Sequence, residues 1–225
     1  MQTPPSDQML RICRTSCSVS AGEAPQNEYV RCAAASFVLV RLNFQVVEMG
    51  KQKFEEVFAM EFYKALVGES GNQENIFSDL IGVWDIEWVD GKGTLNERHV
   101  IGEWIFSTIL NGDGIQDVFI CPSRSERIIN PQPDAEYGTT IRVYNPKKQK
   151  WDVCYTCLGK MVYLEAEKIE DKIILTNLSN EDGLNVWVFD NISDLRFHWE
   201  NKTSFDEGQT WITNGEVFAK KKAKK

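Results

Sequence analysis

The chain reads as an all-β protein, an antiparallel ten-strand barrel preceded by one amphipathic helix. Three observations carry this. Ten short segments in an unbroken row between Gly82 and Lys220 alternate apolar and polar residues, as in Trp84-Asp-Ile-Glu-Trp88 and Leu195-Arg-Phe-His-Trp-Glu200; a period of two is that of strands with one buried and one wet face. Short turn signals such as Asp90-Gly91, Asn111-Gly112 and Asp182-Gly183 separate them, which favours antiparallel neighbours. No helical period interrupts the row, and so many consecutive strands remove their edges best by closing.

The elements follow in order. Residues 1–48 carry Pro4, Pro5, Pro25 and scattered Ser, and read as a disordered or spurious extension. The apolar run 33–40 is too short to span a bilayer, and its distance from Met1 does not suit a signal peptide. Coherent patterning begins at Met49, which could be the natural start. Over 49–70, Phe54, Val57, Phe58, Phe62, Ala65 and Leu66 fall at helical spacing, and Gly68 is a stop signal. Such a stripe is expected to pack on something, in the first instance structurally. A short turn over 76–80 leads into strands expected at 82–89, 97–109, 114–121, 137–145, 149–157, 160–168, 172–177, 184–190, 194–201 and 209–220. The longest connection, 122–136, has the length of a functional lid. The barrel is expected to span 75–220, and 221–225 is a basic tail.

Charge narrows the partners. The formal net charge is −8; residues 1–48 balance four Arg against four acids, and the last six residues hold five Lys, so residues 49–219 carry −13. A nucleic-acid face would need clustered Lys and Arg, so no nucleic acid is expected, nor a membrane span. Six Cys show no framework spacing in a chain this large, which fits reduced thiols and a cytoplasmic setting. Cys154 and Cys157 form a Cys-x-x-Cys, but on a strand pattern, where an odd separation sends them to opposite faces. No Ser-His-Asp arrangement, phosphate loop or metal-ligand set stands out, and no catalytic residue, metal or cofactor is assigned. His198 alternates with Phe197 and Trp199; it is an ordinary outward residue if the aromatic face is the core side, the favoured reading, and a lumen acid–base group if the lumen is polar.

Polar groups inside apolar strands are the candidate ligand-binding residues: Glu103 and Trp104 in Gly102-Glu-Trp-Ile-Phe106, Gln116 and Asp117 in Ile115-Gln-Asp-Val-Phe119, and Arg142 and Tyr144 in Thr139-Thr-Ile-Arg-Val-Tyr144. A charge buried in a barrel must be paired. Arg142 against Glu103 or Asp117 would satisfy it and leave donors for a ligand's carboxylate. Alternation defines two faces without saying which is inside.

These stretches also carry a resemblance. Leu80-Ile-Gly-Val-Trp84 resembles the Gly-x-Trp opening of lipocalin-like barrels. With Gly102-Glu-Trp-Ile-Phe106, Ile115-Gln-Asp-Val-Phe119, Tyr137-Gly-Thr-Thr-Ile-Arg142 and Ser204-Phe-Asp-Glu-Gly-Gln-Thr-Trp211, the ordered set is similar to a family of uncharacterised, mostly bacterial proteins with a lipocalin-like domain of unknown function. The resemblance covers about residues 75–220 and implies a calycin-type barrel with an interior cavity, but no established activity. Three functions are compatible: a binder of a small, partly apolar or carboxylate-bearing molecule; an isomerase or cyclase that uses the cavity to position its substrate; or a structural, protein-interaction barrel. An open cavity whose charges are all paired favours the first, a lone perturbed carboxylate the second, and a cavity filled by side chains the third. The oligomeric state is left open.

Overall fold

The computed structural model describes residues 52–68, 75–132, 135–179 and 182–223. The expected extension 1–48, the two ends of the 49–70 helix and the tip of the basic tail lie outside them. The chain divides into two compact units, residues 1–58 and 59–225.

Helix α1 covers residues 52–67. It ends where expected: Gly68 has φ +80° and its N–H donates to Lys64 O at 2.9 Å. The apolar stripe does not behave as expected. Phe54, Val57, Phe58 and Phe62 are exposed, as is Ala65, and only Leu66 of the stripe is half-buried.

All ten strands form: β1 Gly82–Asp90, β2 Arg98–Ile109, β3 Gly114–Cys121, β4 Glu136–Asn145, β5 Lys150–Cys157, β6 Lys160–Ile169, β7 Lys172–Asn177, β8 Leu184–Asp190, β9 Arg196–Ser204 and β10 Ile212–Lys221. Each pairs antiparallel with its predecessor, and β1 pairs with β10 to close the barrel. Trp84, Ile86, Trp104, Phe106, Ile115, Phe119, Val153, Phe189, Phe197 and Val217 belong to one core cluster, so the aromatic face of each alternating strand is the inside. His198 accordingly faces out.

The two ends differ. At one end Phe77 and Leu80, flanking a single turn over Ser78–Leu80, are fully buried and plug the barrel. The turn is set locally: Asn75 Oδ1 accepts from Phe77 N, and Ser78 Oγ from Asn75 N. The plug is pinned where Trp84 Nε1 donates to Leu80 O at 2.7 Å. The Phe77 ring then packs edge-on against Trp151 at 5.3 Å. At the other end sits the long connection. It contains helix α2, Arg124–Ile129, whose N-terminus is capped by Ser123. Arg124 anchors this segment to the outer wall through Glu103, with its Nη2 donating to Oε2 at 2.8 Å and its backbone N–H to Oε1 at 2.9 Å.

Candidate ligand-binding site

The register brings a charged pair into the barrel. On β3, Ile115, Asp117 and Phe119 point inward; on β4, Gly138, Thr140 and Arg142 do. Ile115 lies opposite Arg142 and Asp117 opposite Thr140, so Asp117 and Arg142 are diagonal neighbours, within reach of a long side chain. Arg142 Nη2 stands 2.5 Å from Asp117 Oδ2, and each residue is only 1% exposed. Asp117 Oδ1 accepts from the Thr140 hydroxyl at 3.1 Å. The Arg142 guanidinium lies over the rings of Phe77 at 5.0 Å and Phe106 at 5.5 Å, which supplies cation–π stabilisation in place of water. Its Nε and Nη1 have no hydrogen-bond partner among the described residues.

Above this pair the plugged barrel is open, with a cavity of about 250 Å³. Arg142 and Thr140 line it on one side, and Trp88, Trp104, Phe119, Tyr155, Trp187 and Trp199 form its apolar walls. Trp104 is the hub: its ring lies 5.1 Å from Phe119, 5.4 Å from Phe189 and 6.0 Å from Trp199. The indole N–H groups of Trp104 and Trp199 are buried and have no partner among the described residues.

Asp90, Glu136, Lys160, Asn201 and Asn214 complete the lining. Asp90 is held by Arg98 at 2.9 Å. Glu136 accepts from the Tyr155 hydroxyl, and burial together with that carboxylate pushes the phenol far above its ordinary range. Tyr155 fits because position 138 is glycine: a Cβ there would lie 2.4 Å from the phenol oxygen. An amide chain stiffens the remaining wall, with Asn177 donating to Asn185 and Asn185 to Asn201.

Of the six residues singled out from the sequence, Arg142, Asp117 and Trp104 come together here. The other three do not. Glu103 lies on the outer face beneath Arg124 and is not the partner of Arg142; Arg124 holds its carboxyl below the ordinary range against the opposing effect of burial. Gln116 is also on the outer face and donates to Thr139 Oγ1 at 3.0 Å. Tyr144 has inward parity but sits at the plugged end, half-exposed beside Trp151 and lining a separate groove with Ile76 and Pro146. The sequence does not single out Trp88, Trp187, Trp199, Tyr155 and Thr140 as site residues. Strand parity relative to Trp104 and Arg142 was the available signal.

Outside the barrel, His198 lies between Asp190 at 2.9 Å and Glu216 at 3.2 Å. Asp190, His198 and Glu200 are close enough to share a metal ion. Each carboxylate of this cluster instead meets a lysine: Lys172 near Asp190, Lys202 at Glu200 and Lys92 at Glu216. Burial pulls Glu216 upward, but Lys92 and His198 outweigh it and leave it below its ordinary value. The cluster is a balanced ion network. Cys154 and Cys157 are free thiols; Cys157 packs on the core, whereas Cys154 lies between exposed Ile141 and Tyr163 on the outer face.

No family model and no curated protein matches the chain. Among solved structures it is similar to the crystal structure of Rv2717c from M. tuberculosis, at 10% identity and a TM-score of 0.45, over 68% of this chain and all of that one. The closed ten-strand antiparallel barrel itself fits a lipocalin-like architecture. Among the described residues no helix is long and apolar enough to cross a membrane.

Proposed function

We propose that this chain is a lipocalin-like binding barrel that holds a small, partly apolar molecule against Arg142, Asp117 and Trp104, in a cytoplasmic setting. The observation that carries the reading is the aromatic-walled cavity, plugged at one end and open at the other, with a charged pair at its base. Sites of this form combine apolar walls with a few oriented polar groups. A barrel serving only as a scaffold would fill this space with side chains, as the lower half does with Phe77, Phe106 and Ile115. An enzyme working by acid–base chemistry needs a carboxylate free to take a proton. Here Asp117 is committed to Arg142, Asp90 to Arg98 and Glu136 to Tyr155.

Native mass spectrometry of the full chain purified from cells tests the reading. A reproducible extra mass, released by denaturation and reduced in Trp104→Ala, is expected. If no small molecule co-purifies and none from a fragment collection shifts the indole N–H resonances, the barrel is not a binder.

A further inference from the structure

The unpaired groups of the cavity specify the chemistry of what it takes. Three residues that line it carry four buried N–H donors with no acceptor among the described residues: Nε and Nη1 of Arg142, and Nε1 of Trp104 and of Trp199. They belong to one contiguous cluster. Trp104 lies 6.0 Å from Trp199 and 5.1 Å from Phe106, whose ring the Arg142 guanidinium overlies. A buried donor left unmade costs about 1–3 kcal/mol, and native proteins seldom leave several together. Water can satisfy such donors in an empty cavity. A ligand that displaces it must return acceptors, and it needs no donors of its own at that point.

Charge then separates two kinds of acceptor. The positive charge of Arg142 is already met by Asp117, and that of Arg98 by Asp90. Lys160, over the Tyr155 ring at 5.7 Å, stands among lining groups that include Glu136, the carboxylate bound by Tyr155. No cation is in excess. The aromatic faces of the walls are electron-rich and repel an anion. A carboxylate would bring an unmatched negative charge out of water, at a cost that the donors do not recover. A carbonyl oxygen accepts the same hydrogen bonds without that charge. The walls, mainly indole and phenyl rings, suit a flat partner that packs face-on or edge-on.

We propose that the cavity selects a neutral, planar aromatic molecule that presents a carbonyl oxygen to the unpaired N–H donors of Arg142, Trp104 and Trp199; this rests on the binding-barrel reading above. It replaces the carboxylate-bearing ligand that an interior arginine alone suggests.

Three probes of similar size decide the matter on the full chain near neutral pH: coumarin, a neutral aromatic lactone; naphthalene, with no acceptor; and naphthoate, with a charged one. Titrations are followed by the indole N–H resonances in two-dimensional NMR, assigned with single Trp→Phe variants. Coumarin is expected to bind about tenfold tighter than either of the others, and to move the Trp104 and Trp199 signals most. Trp199→Phe keeps a ring and removes one donor. It should weaken coumarin severalfold and leave naphthalene unchanged. Naphthalene binding as tightly as coumarin would overturn the role of the donors, and naphthoate binding tightest would overturn neutrality; in both cases the barrel remains a binder. If none of the three binds, the neutral aromatic carbonyl proposal falls, and the binding-barrel reading stands or falls on the co-purification and fragment experiment above.

Discussion

Arg142 shows how a residue can serve stability and recognition at once. Burying a guanidinium costs several kcal/mol unless its charge is met. Asp117 meets it through Nη2 while Phe77 and Phe106 cover its faces. Removing it strands the Asp117 carboxylate, so Arg142→Ala is expected to lower unfolding stability by about 3–5 kcal/mol in urea titrations. Arg142→Lys keeps the charge and loses the planar contact, and should fall between the two. An Arg142→Ala variant as stable as wild type would show that the pair contributes nothing to the barrel. Gly138 acts by absence. A methyl group there would meet Tyr155, whose hydroxyl is tied to Glu136. Gly138→Ala should therefore cost about 1–3 kcal/mol through overpacking, read in the same titration.

At the scale of elements, two connections are held by carboxylates, and both predict how stability responds to acid. The segment after β3 is held by Arg124 on Glu103. Because the Glu103 carboxyl is lowered in the fold, first by Arg124, its contribution is complete above the ordinary value of about 4.3 and fades as pH falls below it. Arg124→Ala should cost about 1 kcal/mol at neutral pH, a figure kept small because Arg124 is largely exposed. Its melting curve should converge on that of wild type in acid. The β9–β10 connection is built around Asp206. Its carboxylate accepts from Thr210, through both backbone and hydroxyl, and from Ser204, which brings its pKa to about 2. The stabilising effect of Asp206 is therefore lost only between about pH 3.9 and that value. Carboxyl NMR should report the low midpoint, and Thr210→Val should raise it. These bonds also give a physical role to the Ser204–Trp211 stretch: Ser204 Oγ further accepts from Gly208 N, and Trp211 Nε1 donates to Gly208 O.

For the whole molecule, closure of β1 on β10 removes the exposed edges of the meander, and the barrel completes its hydrogen-bond ladder without residues 1–48. A chain that starts at Met49 is expected to melt within a few degrees of the full chain; a large loss of melting temperature would show that the N-terminal residues support the fold.

The amino-acid sequence by itself determined the class, the number of strands and most of their limits, because alternation and turn chemistry are local properties of neighbouring residues. Even β3, β7 and β8 match their expected limits, since turn residues, Gly112, Asp171 and Gly183, precede them. It also marked Arg142, Asp117 and Trp104 as unusual, because a charge or an indole inside an apolar strand is visible in one dimension. Which face of each strand turns inward was decided only by closure. A shift of one residue exchanges the two faces, and only the barrel register sends Asp117 to Arg142 while turning Glu103 and Gln116 to the outer wall. Tyr144 has the right parity but the wrong height, a coordinate that exists only once one end is plugged by Phe77 and Leu80. The cavity walls come from strands far apart in sequence. Trp199 meets Trp104 and Trp187, and Trp88 meets Phe119, because the sheet closes on itself, and no local pattern encodes those distances.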